Sequence, residues 1–113
     1  LCTRMTFSQC GGHGVFARNT KGRLINCVVA QCEYSGIRCY KNALIELEGS
    51  QTEVHGNGTS GYGHSGLDTF DTSSVIHLLF PLSKESVSTN NRNGQNYSGN
   101  GTIQTVESLE KLL

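Results

Sequence analysis

The sequence lacks tryptophan, contains a single proline and carries no excess of either charge. With 35% hydrophobic residues in 113 positions, a narrow core fed by many thin layers suits the composition better than a broad globular core. Lysine and arginine together number nine, as do aspartate and glutamate, so the formal net charge is zero. Because nucleic-acid binders need a positive surface to hold phosphates, we expect no nucleic-acid partner.

A long apolar run is also missing, which argues against a membrane partner or a membrane-spanning helix. The chain begins at Leu1 without a signal-peptide pattern, and we expect it to be a domain or fragment of a larger protein. Its five cysteines form no C-x-x-C pair, so buried free thiols are favoured over a disulfide framework. Reduced thiols favour an intracellular setting. The three sequons, at Asn57, Asn96 and Asn100, are interpreted as by-products of turns.

Glycine, in contrast, is abundant, with 14 residues, and it marks an internal repeat. A glycine followed by an aliphatic residue occurs at Gly14-Val15, Gly36-Ile37 and Gly66-Leu67. The first two copies lie 22 residues apart, and the third follows after 30 because a glycine-rich insert extends that repeat. Such glycines mark a bend at which a Cβ atom would crowd the next repeat or φ must be positive.

Beside the glycine repeat, a second repeated pattern consists of apolar–polar–apolar segments, and it predicts short strands with one buried face. Its members are Thr3–Met5, Ile25–Cys27, Ile45–Leu47, Ile76–Leu78 and Ile103–Thr105. No intervening segment has the length or pattern of a crossover helix. Parallel strands joined without helices predict an all-β fold, a single-stranded right-handed parallel β-helix of about four to five coils.

The β-helix is expected to span residues 1–106, and residues 107–113 are a capping or linker segment. Apolar residues at 106, 109, 112 and 113 have helical spacing, which predicts a helical cap over the last coil. Stacking places like side chains over like in a continuous core. The predicted inward residues are Met5, Phe7, Val15, Ala17, Ile25, Cys27, Val29, Ile37, Cys39, Ile45, Leu47, Leu67, Ile76, Leu78 and Ile103.

Coils rich in asparagine and glycine with a Gly-Ile step resemble the parallel β-helix repeats of the pectate-lyase-like superfamily. Within it, the chain most resembles the non-enzymatic repeats of F-box-type proteins and of large algal viruses. The resemblance covers residues 3–106, and it implies the fold more strongly than the function. Many members of the superfamily are polysaccharide lyases, epimerases or glycosidases, so carbohydrate chemistry is the alternative that the resemblance leaves open.

The outward residues of the Gly-aliphatic strands are aromatic side chains interleaved with charges, and they predict a binding face. Two rows rise across three coils: Phe16, Arg38 and Asp68, and beside them Arg18, Tyr40 and Phe70. The alternative is an ordinary solvated strand face on which neighbouring pairs stabilise the sheet. Since coils lie about 4.8 Å apart, Arg38 and Asp68 are placed to pair directly.

The glycine-rich insert, residues 55–64, carries Tyr62 and His64 as large side chains close to Asp68. If a specific site exists, we expect it where this loop meets the first outward row, because loops often carry function. The alternative is a tolerated insertion. The predicted binding residues are Phe16, Arg38, Tyr40, Tyr62, His64, Asp68 and Phe70.

No complete catalytic constellation is found in the sequence. The Gly12-His13-Gly14 motif is similar to one in polygalacturonase-like enzymes, but no acidic residue precedes it and the Arg-Ile-Lys motif of those enzymes is absent. His13 is better interpreted as a bend residue in the position that Ser35 and Ser65 occupy in later coils. Glycoside hydrolysis needs two carboxylates flanking the bond, and Asp68 and Asp71 are predicted to lie on opposite strand faces.

Metal and cofactor sites are not expected either. Glu46 and Glu48 share an outward strand face. Their predicted neighbours offer too few oxygen ligands for Ca²⁺, since these are Asn26 and His77 beside Glu46, and Val28 and Leu79 beside Glu48. The leading hypothesis is a non-catalytic scaffold that mediates protein–protein interaction or assembly, with a protein partner or self-association. The alternative is a carbohydrate-binding or carbohydrate-active β-helix with a polysaccharide ligand.

Overall fold

The computed structural model describes residues 1–61 and 63–109, and within them the chain is almost entirely β-structure. Three parallel sheets run along the molecule, and successive coils contribute their strands to them in turn. The first sheet contains β1 (Cys2–Thr3), β4 (Lys21–Ile25), β7 (Leu44–Glu48), β10 (Val75–Leu79) and β13 (Thr102–Val106). The second contains β2 (Thr6–Ser8), β5 (Val28–Ala30), β8 (Glu53–His55) and β11 (Ser88–Thr89). The third contains β3 (Val15–Arg18), β6 (Ile37–Tyr40), β9 (Leu67–Thr69) and β12 (Tyr97–Gly99).

The stacked coils confirm the predicted parallel solenoid and much of its register. Ile37 pairs with both Val15 and Leu67, as the Gly-aliphatic repeat predicts. Ile76 likewise pairs with Ile45 on one side and Ile103 on the other. About four coils stack in this way, since two of the sheets have four strands each. The described helical structure is limited to α1 (Lys84–Val87) and a 3-10 turn at Arg92–Gly94.

The second sheet is an element that the sequence ladders did not predict. Its strands are only two or three residues long. Alternation cannot be recognised over so few positions, and Thr6–Ser8 or Glu53–His55 is equally compatible with a turn. The prediction that Val28 lies beside Glu48 is therefore wrong: Val28 lies in the second sheet between Thr6 and Glu53, and Glu48 pairs with Ile25 in the first.

The predicted register of the second coil in the first sheet is also wrong. Gly22 rather than Ile25 lies beside Ile45, and Leu24 occupies the core position beside Leu47. The physical reason is the next residue, Asn26, whose φ of 53° turns the chain out of the strand. Ile25 therefore points outward and is half-buried, whereas Leu24 is fully buried.

The core runs along the inside of the three sheets. Its fully buried members are Ala17, Leu24, Cys27, Val29, Cys32, Ile37, Cys39, Ala43, Ile45, Leu47, Val54, Leu67, Ile76, Leu78, Leu82 and Val87. Met5, predicted to be inward, is instead 47% exposed in the first coil. It follows β1 at a corner, so it has neighbours from one adjoining coil only. All five cysteines are free, three of them buried and two half-buried.

The coil corners are built in two different ways. At Gly36 a Cβ atom would lie 2.7 Å from Val54 Cγ1 and 2.8 Å from the Gly66 carbonyl oxygen, so close stacking, not a positive φ, requires glycine there. Other corners use left-handed residues, including Asn19 at 52° and Gln31 at 56°. The predicted helical cap lies mainly in residues 110–113, outside the described residues, and Val106 belongs to β13.

Candidate functional site

The outer face of the third sheet carries the two rows that the sequence predicts. Arg38 pairs in register with Phe16 in the coil before and with Asp68 in the coil after. Tyr40 pairs with Arg18, and its ring meets that of Phe70 edge-on at a centroid distance of 5.3 Å. Short strands with strict alternation bring these side chains to one face, because every second residue points away from the core.

Arg38 joins the charged and aromatic parts of this face. Its Nη1 donates to Asp68 Oδ2 at 2.6 Å, which realises the predicted pair, and its guanidinium lies 4.5 Å from the centre of the Phe70 ring. Ser35 Oγ also donates to Asp68 Oδ2, at 3.3 Å. Asp68 is only 4% exposed, so its carboxylate is an internal partner of Arg38 and not a free surface acid.

Several aromatic rings on this face are open to solvent. Phe16, Phe70 and Tyr34 are 55%, 49% and 41% exposed, respectively. We call Phe16, Tyr34, Tyr40 and Phe70 the aromatic strip. Monomeric proteins seldom leave several large apolar side chains exposed together without a use for them, so the strip is the strongest candidate for a contact surface.

Two histidine rings join Tyr34 in a cluster at the edge of the aromatic strip, beside Phe16. His64 stacks on Tyr34 with ring centroids 4.6 Å apart and 15° between the planes. His13 meets Tyr34 edge-on at 5.4 Å and lies 5.4 Å from Phe16 and 6.0 Å from His64. The structure thus brings His64 to the first outward row, as predicted. Tyr62, the other predicted loop residue, lies outside the described residues.

His13 occupies the bend position that was predicted for it. Its Nδ1 accepts the backbone N–H of Ser35 at 3.1 Å, and Ser35 Oγ in turn accepts the N–H of Ser65 at 3.1 Å. Since Nδ1 is an acceptor, the neutral imidazole carries its proton on Nε2. Burial, followed by the charge of Arg38 and the neighbouring His64, lowers the pKa of His13, with Asp68 acting in the opposite direction.

His13 and Tyr34 are site residues that the sequence reasoning missed. Both lie in the bends that precede the strands of the third sheet, and the Tyr34 N–H donates to the Gly12 carbonyl at 3.1 Å. A signal was present, because Tyr34 and Gly12 stand at equivalent positions, two residues before the glycine of the Gly-aliphatic step. His64 adds an unusual feature, since its Nδ1 is buried without a hydrogen-bond partner.

The outer face of the first sheet is organised by a second ion pair. Glu46, predicted to be exposed beside Asn26 and His77, is only 1% exposed and accepts from Arg23 Nη2 at 3.0 Å. Arg23 takes the place predicted for Asn26 because of the changed register of β4. His77 does lie beside Glu46, and its Nε2 is 3.3 Å from Gln104 Nε2.

Comparisons with known proteins leave this fold and site without a match: no family model, no curated protein and no solved structure is similar to the chain. Among residues 1–61 and 63–109, no three histidine, cysteine, aspartate or glutamate side chains converge in a manner that could hold a metal ion. In the same residues no helix is long and apolar enough to cross a membrane.

Proposed function

We propose that this chain is a non-catalytic binding module that holds an extended segment of a partner protein against the outer face of its third sheet. The observation that carries the proposal is the aromatic strip, in which Phe16 and Phe70 remain about half exposed on a regular, stacked surface. Aromatic residues and arginine dominate the energetics of protein interfaces, because they bury large areas at low entropic cost.

The rigidity of the face supports this role. Arg38 is fixed by Asp68 at one end and covers one face of the Phe70 ring, so Phe70 is held in place before any ligand arrives. Tyr34 is held in the same way by its stack with His64. Contacts that are ordered in the free protein lose less entropy on binding, which favours affinity.

The acidic residues of the third coil support a role without catalysis. Asp68 is neutralised by Arg38, and Asp71 accepts the Lys41 backbone N–H at 3.0 Å and hydroxyls of Ser73 and Ser74. Both carboxylates thus serve the fold, whereas glycoside hydrolysis needs a pair free to act on the substrate. Membership of the pectate-lyase-like superfamily, and the likeness to its non-enzymatic repeats, remains part of this proposal.

A polysaccharide is the second candidate ligand, and it is favoured by one observation. Tyr34, Phe16 and Phe70 offer exposed ring surface next to the polar groups of Arg38 and His13 on the same face. Ligand sites commonly combine apolar ring surface with a few fixed polar groups that set the orientation. A protein segment is preferred because the charges of Arg38 and Asp68 are already satisfied by each other.

Selection from a displayed library of random peptides, beside a panel of acidic and neutral polysaccharides, tests the proposal. The bait is the folded chain, and the counter-bait is a Phe16→Ser/Phe70→Ser variant whose far-UV circular dichroism matches it. A matched control is Phe80→Ser, since Phe80 is 68% exposed and lies outside the third sheet. We expect peptides that bind the chain and the Phe80 variant but lose at least tenfold in affinity for the double variant.

Two results would overturn the protein-segment proposal. Peptides that bind the double variant as well as the chain would place recognition elsewhere. Polysaccharide binding that depends on Phe16 and Phe70, without any peptide that does, would identify a sugar chain as the ligand. Turnover of a polysaccharide by the chain would contradict the non-catalytic role directly.

A further inference from the structure

Cys10 and Cys32 occupy equivalent positions in the first and second coils. The strands before them pair in register, Ser8 with Ala30, and the Glu33 N–H donates to the Cys10 carbonyl at 3.0 Å. Each thiol also points toward the carbonyl two residues before it, at 3.8 Å from Cys10 and 3.6 Å from Cys32. The two side chains therefore have the same orientation, one above the other.

The register of the first two coils places the two thiols side by side across the gap between the coils. The Cys32 sulfur also approaches the Phe7 carbonyl of the first coil at 4.0 Å, so it reaches across the gap between the coils. Adjacent strands lie about 4.8 Å apart, within the Cα separation of roughly 4.4–6.8 Å that a disulfide can bridge.

We infer that Cys10 and Cys32 form a redox-active dithiol that a low-molecular-weight disulfide converts into a disulfide linking the first two coils. Cys10 is half-buried and reacts first, whereas Cys32 is fully buried. The Cys10 thiolate attacks the disulfide of the oxidant, forms a mixed disulfide and releases one thiol. Cys32 then loses its proton to solvent and attacks the Cys10 sulfur, which releases the second thiol. Two protons and two electrons thus leave the protein, and the oxidant is reduced to two thiols.

The other cysteines do not have this arrangement. The Cys27 thiol donates to the Cys2 carbonyl at 3.4 Å, but Cys2 pairs in register with Leu24, so the two cysteines are not stacked. Cys39 is flanked in the neighbouring coils by Ala17 and Thr69, and burial raises the pKa of its thiol to about 12. Neither arrangement offers two aligned thiols, which makes these cysteines suitable internal controls.

Titration of the full chain with oxidised glutathione, followed by rapid alkylation and non-reducing peptide mapping, tests the inference. A Cys2→Ser/Cys27→Ser/Cys39→Ser variant keeps only the proposed pair, and we expect it to form an intramolecular disulfide between Cys10 and Cys32. A Cys32→Ser variant should instead stop at a mixed disulfide on Cys10. Circular dichroism checks that both are folded, and Cys32→Ala replaces Cys32→Ser if the latter is not.

The linked protein is also expected to resist trypsin at Arg4 and Arg18 for longer than the reduced protein, because the first coil cannot separate from the second. A stable mixed disulfide at Cys10 of the folded triple variant would overturn the inference. So would a Cys10–Cys32 disulfide that forms only in urea, since the native arrangement would then contribute nothing to the reaction.

Discussion

Arg38 has two roles on the third sheet, since it neutralises a buried carboxylate and supports an exposed ring. Its Nη1 lies 2.6 Å from Asp68, whose side chain is 6% exposed. Arg18, one coil earlier on the same face, is exposed, and its guanidinium lies 5.9 Å from the centre of the Tyr40 ring. The two arginines therefore share a surface but differ in what their removal leaves behind.

Replacing Arg38 by alanine is expected to lower the free energy of unfolding by about 3 kcal/mol, because Asp68 would keep its burial and lose its partner. Arg18→Ala is the matched control, and its loss should stay below about 1 kcal/mol. Urea unfolding followed by circular dichroism measures both. Equal losses for the two variants would show that the Arg38–Asp68 pair does not matter to the fold.

His13 should make stability depend on pH. Burial and the charges of Arg38 and His64 lower its pKa in the folded protein, so the unfolded chain takes up a proton first as the pH falls. Stability is therefore expected to decrease below about pH 6.5, the value for an unperturbed histidine, down to the lowered pKa of the folded state. Thermal unfolding at intervals between pH 7.5 and 5 measures this decrease.

The matched variants for this pH dependence are His13→Asn and His77→Asn. The asparagine carbonyl at position 13 can still accept the Ser35 N–H but does not titrate, so the decrease should become smaller. His77 lies on the first sheet and should leave it unchanged when replaced. The same pH dependence in both variants would exclude His13 as its source.

Residue-level prediction from the sequence succeeded where alternation alone decides the outcome. Phe16, Arg38 and Asp68 could be placed on one face because they occupy the same position in three repeats, so that all three alternate outward together. The burial of Asp68 could not be predicted, because it arises from Ser35 and Arg38 on another coil. Tyr34 was missed because the repeat identifies its position in the bend, but bends have no alternation that shows which way a side chain points.

Between the elements, Asn57 and Asn91 stack in the corners that follow the strands of the second sheet, and their side chains hydrogen-bond to the backbone of the neighbouring coil. Asn57 Oδ1 accepts the Cys32 N–H at 3.0 Å, and its Nδ2 donates to the Val29 carbonyl at 3.1 Å. Asn91 Oδ1 repeats the pattern one coil later by accepting the Asn57 N–H at 2.9 Å. Asn57 is 1% exposed, so this sequon belongs to the internal structure, as its interpretation as turn chemistry predicts.

Asn57→Ala is expected to lower the free energy of unfolding by about 1–3 kcal/mol, because it leaves the buried Cys32 N–H without the Asn57 acceptor. Asn100→Ala is the control, since Asn100 belongs to the same type of Asn-Gly-Thr sequence but is exposed. Urea unfolding compares the two. A loss under about 0.5 kcal/mol for Asn57→Ala, the range of ordinary surface changes, would contradict the role of this ladder.

At the level of elements, the sequence predicts strands that carry a repeated marker better than strands that carry none. The first three strands of the third sheet, β3, β6 and β9, were predicted from their glycine bends and alternation, whereas β12 lacks the glycine step and the second sheet offers too few residues per strand. The register of β4 was predicted wrongly because the inward position beside Ile45 is occupied by a glycine. Gly22 has no side chain to mark the inward position beside Ile45, so Ile25 gave the stronger apparent match.

For the whole molecule, the two ends of the stack differ from its middle. In the described residues β1 and β13 each pair on one side only, and Leu1 at one end is 80% exposed. A shallow groove lined by Tyr97 and Ile103, among others, opens at the other end. Unpaired strand edges invite pairing with a second chain, which supports self-association as a further proposal.

Light scattering over a range of concentrations tests this proposal with the full chain and with a chain ending at Val106. If residues 107–113 cap the stack, the shortened chain should have the larger mass at a given concentration. The Thr102 N–H donates to the Ser74 carbonyl at 3.0 Å, so by the alternation of a parallel ladder the Thr105 N–H faces the open edge of β13. A Thr105→Pro substitution in the shortened chain removes that donor and should reduce its association. Monomer mass for both chains would contradict self-association through the ends.

The central claim is that the outer face of the third sheet in this parallel solenoid is the surface that binds its ligand. Its most direct test is a nuclear magnetic resonance titration of the ¹⁵N-labelled chain with a peptide or polysaccharide retained in the selection. We expect the largest shift changes at Phe16, Tyr34, Arg38 and Phe70, with little change at Glu46 and His77 on the first sheet. Shift changes centred on the first sheet or on the ends of the stack would contradict the claim.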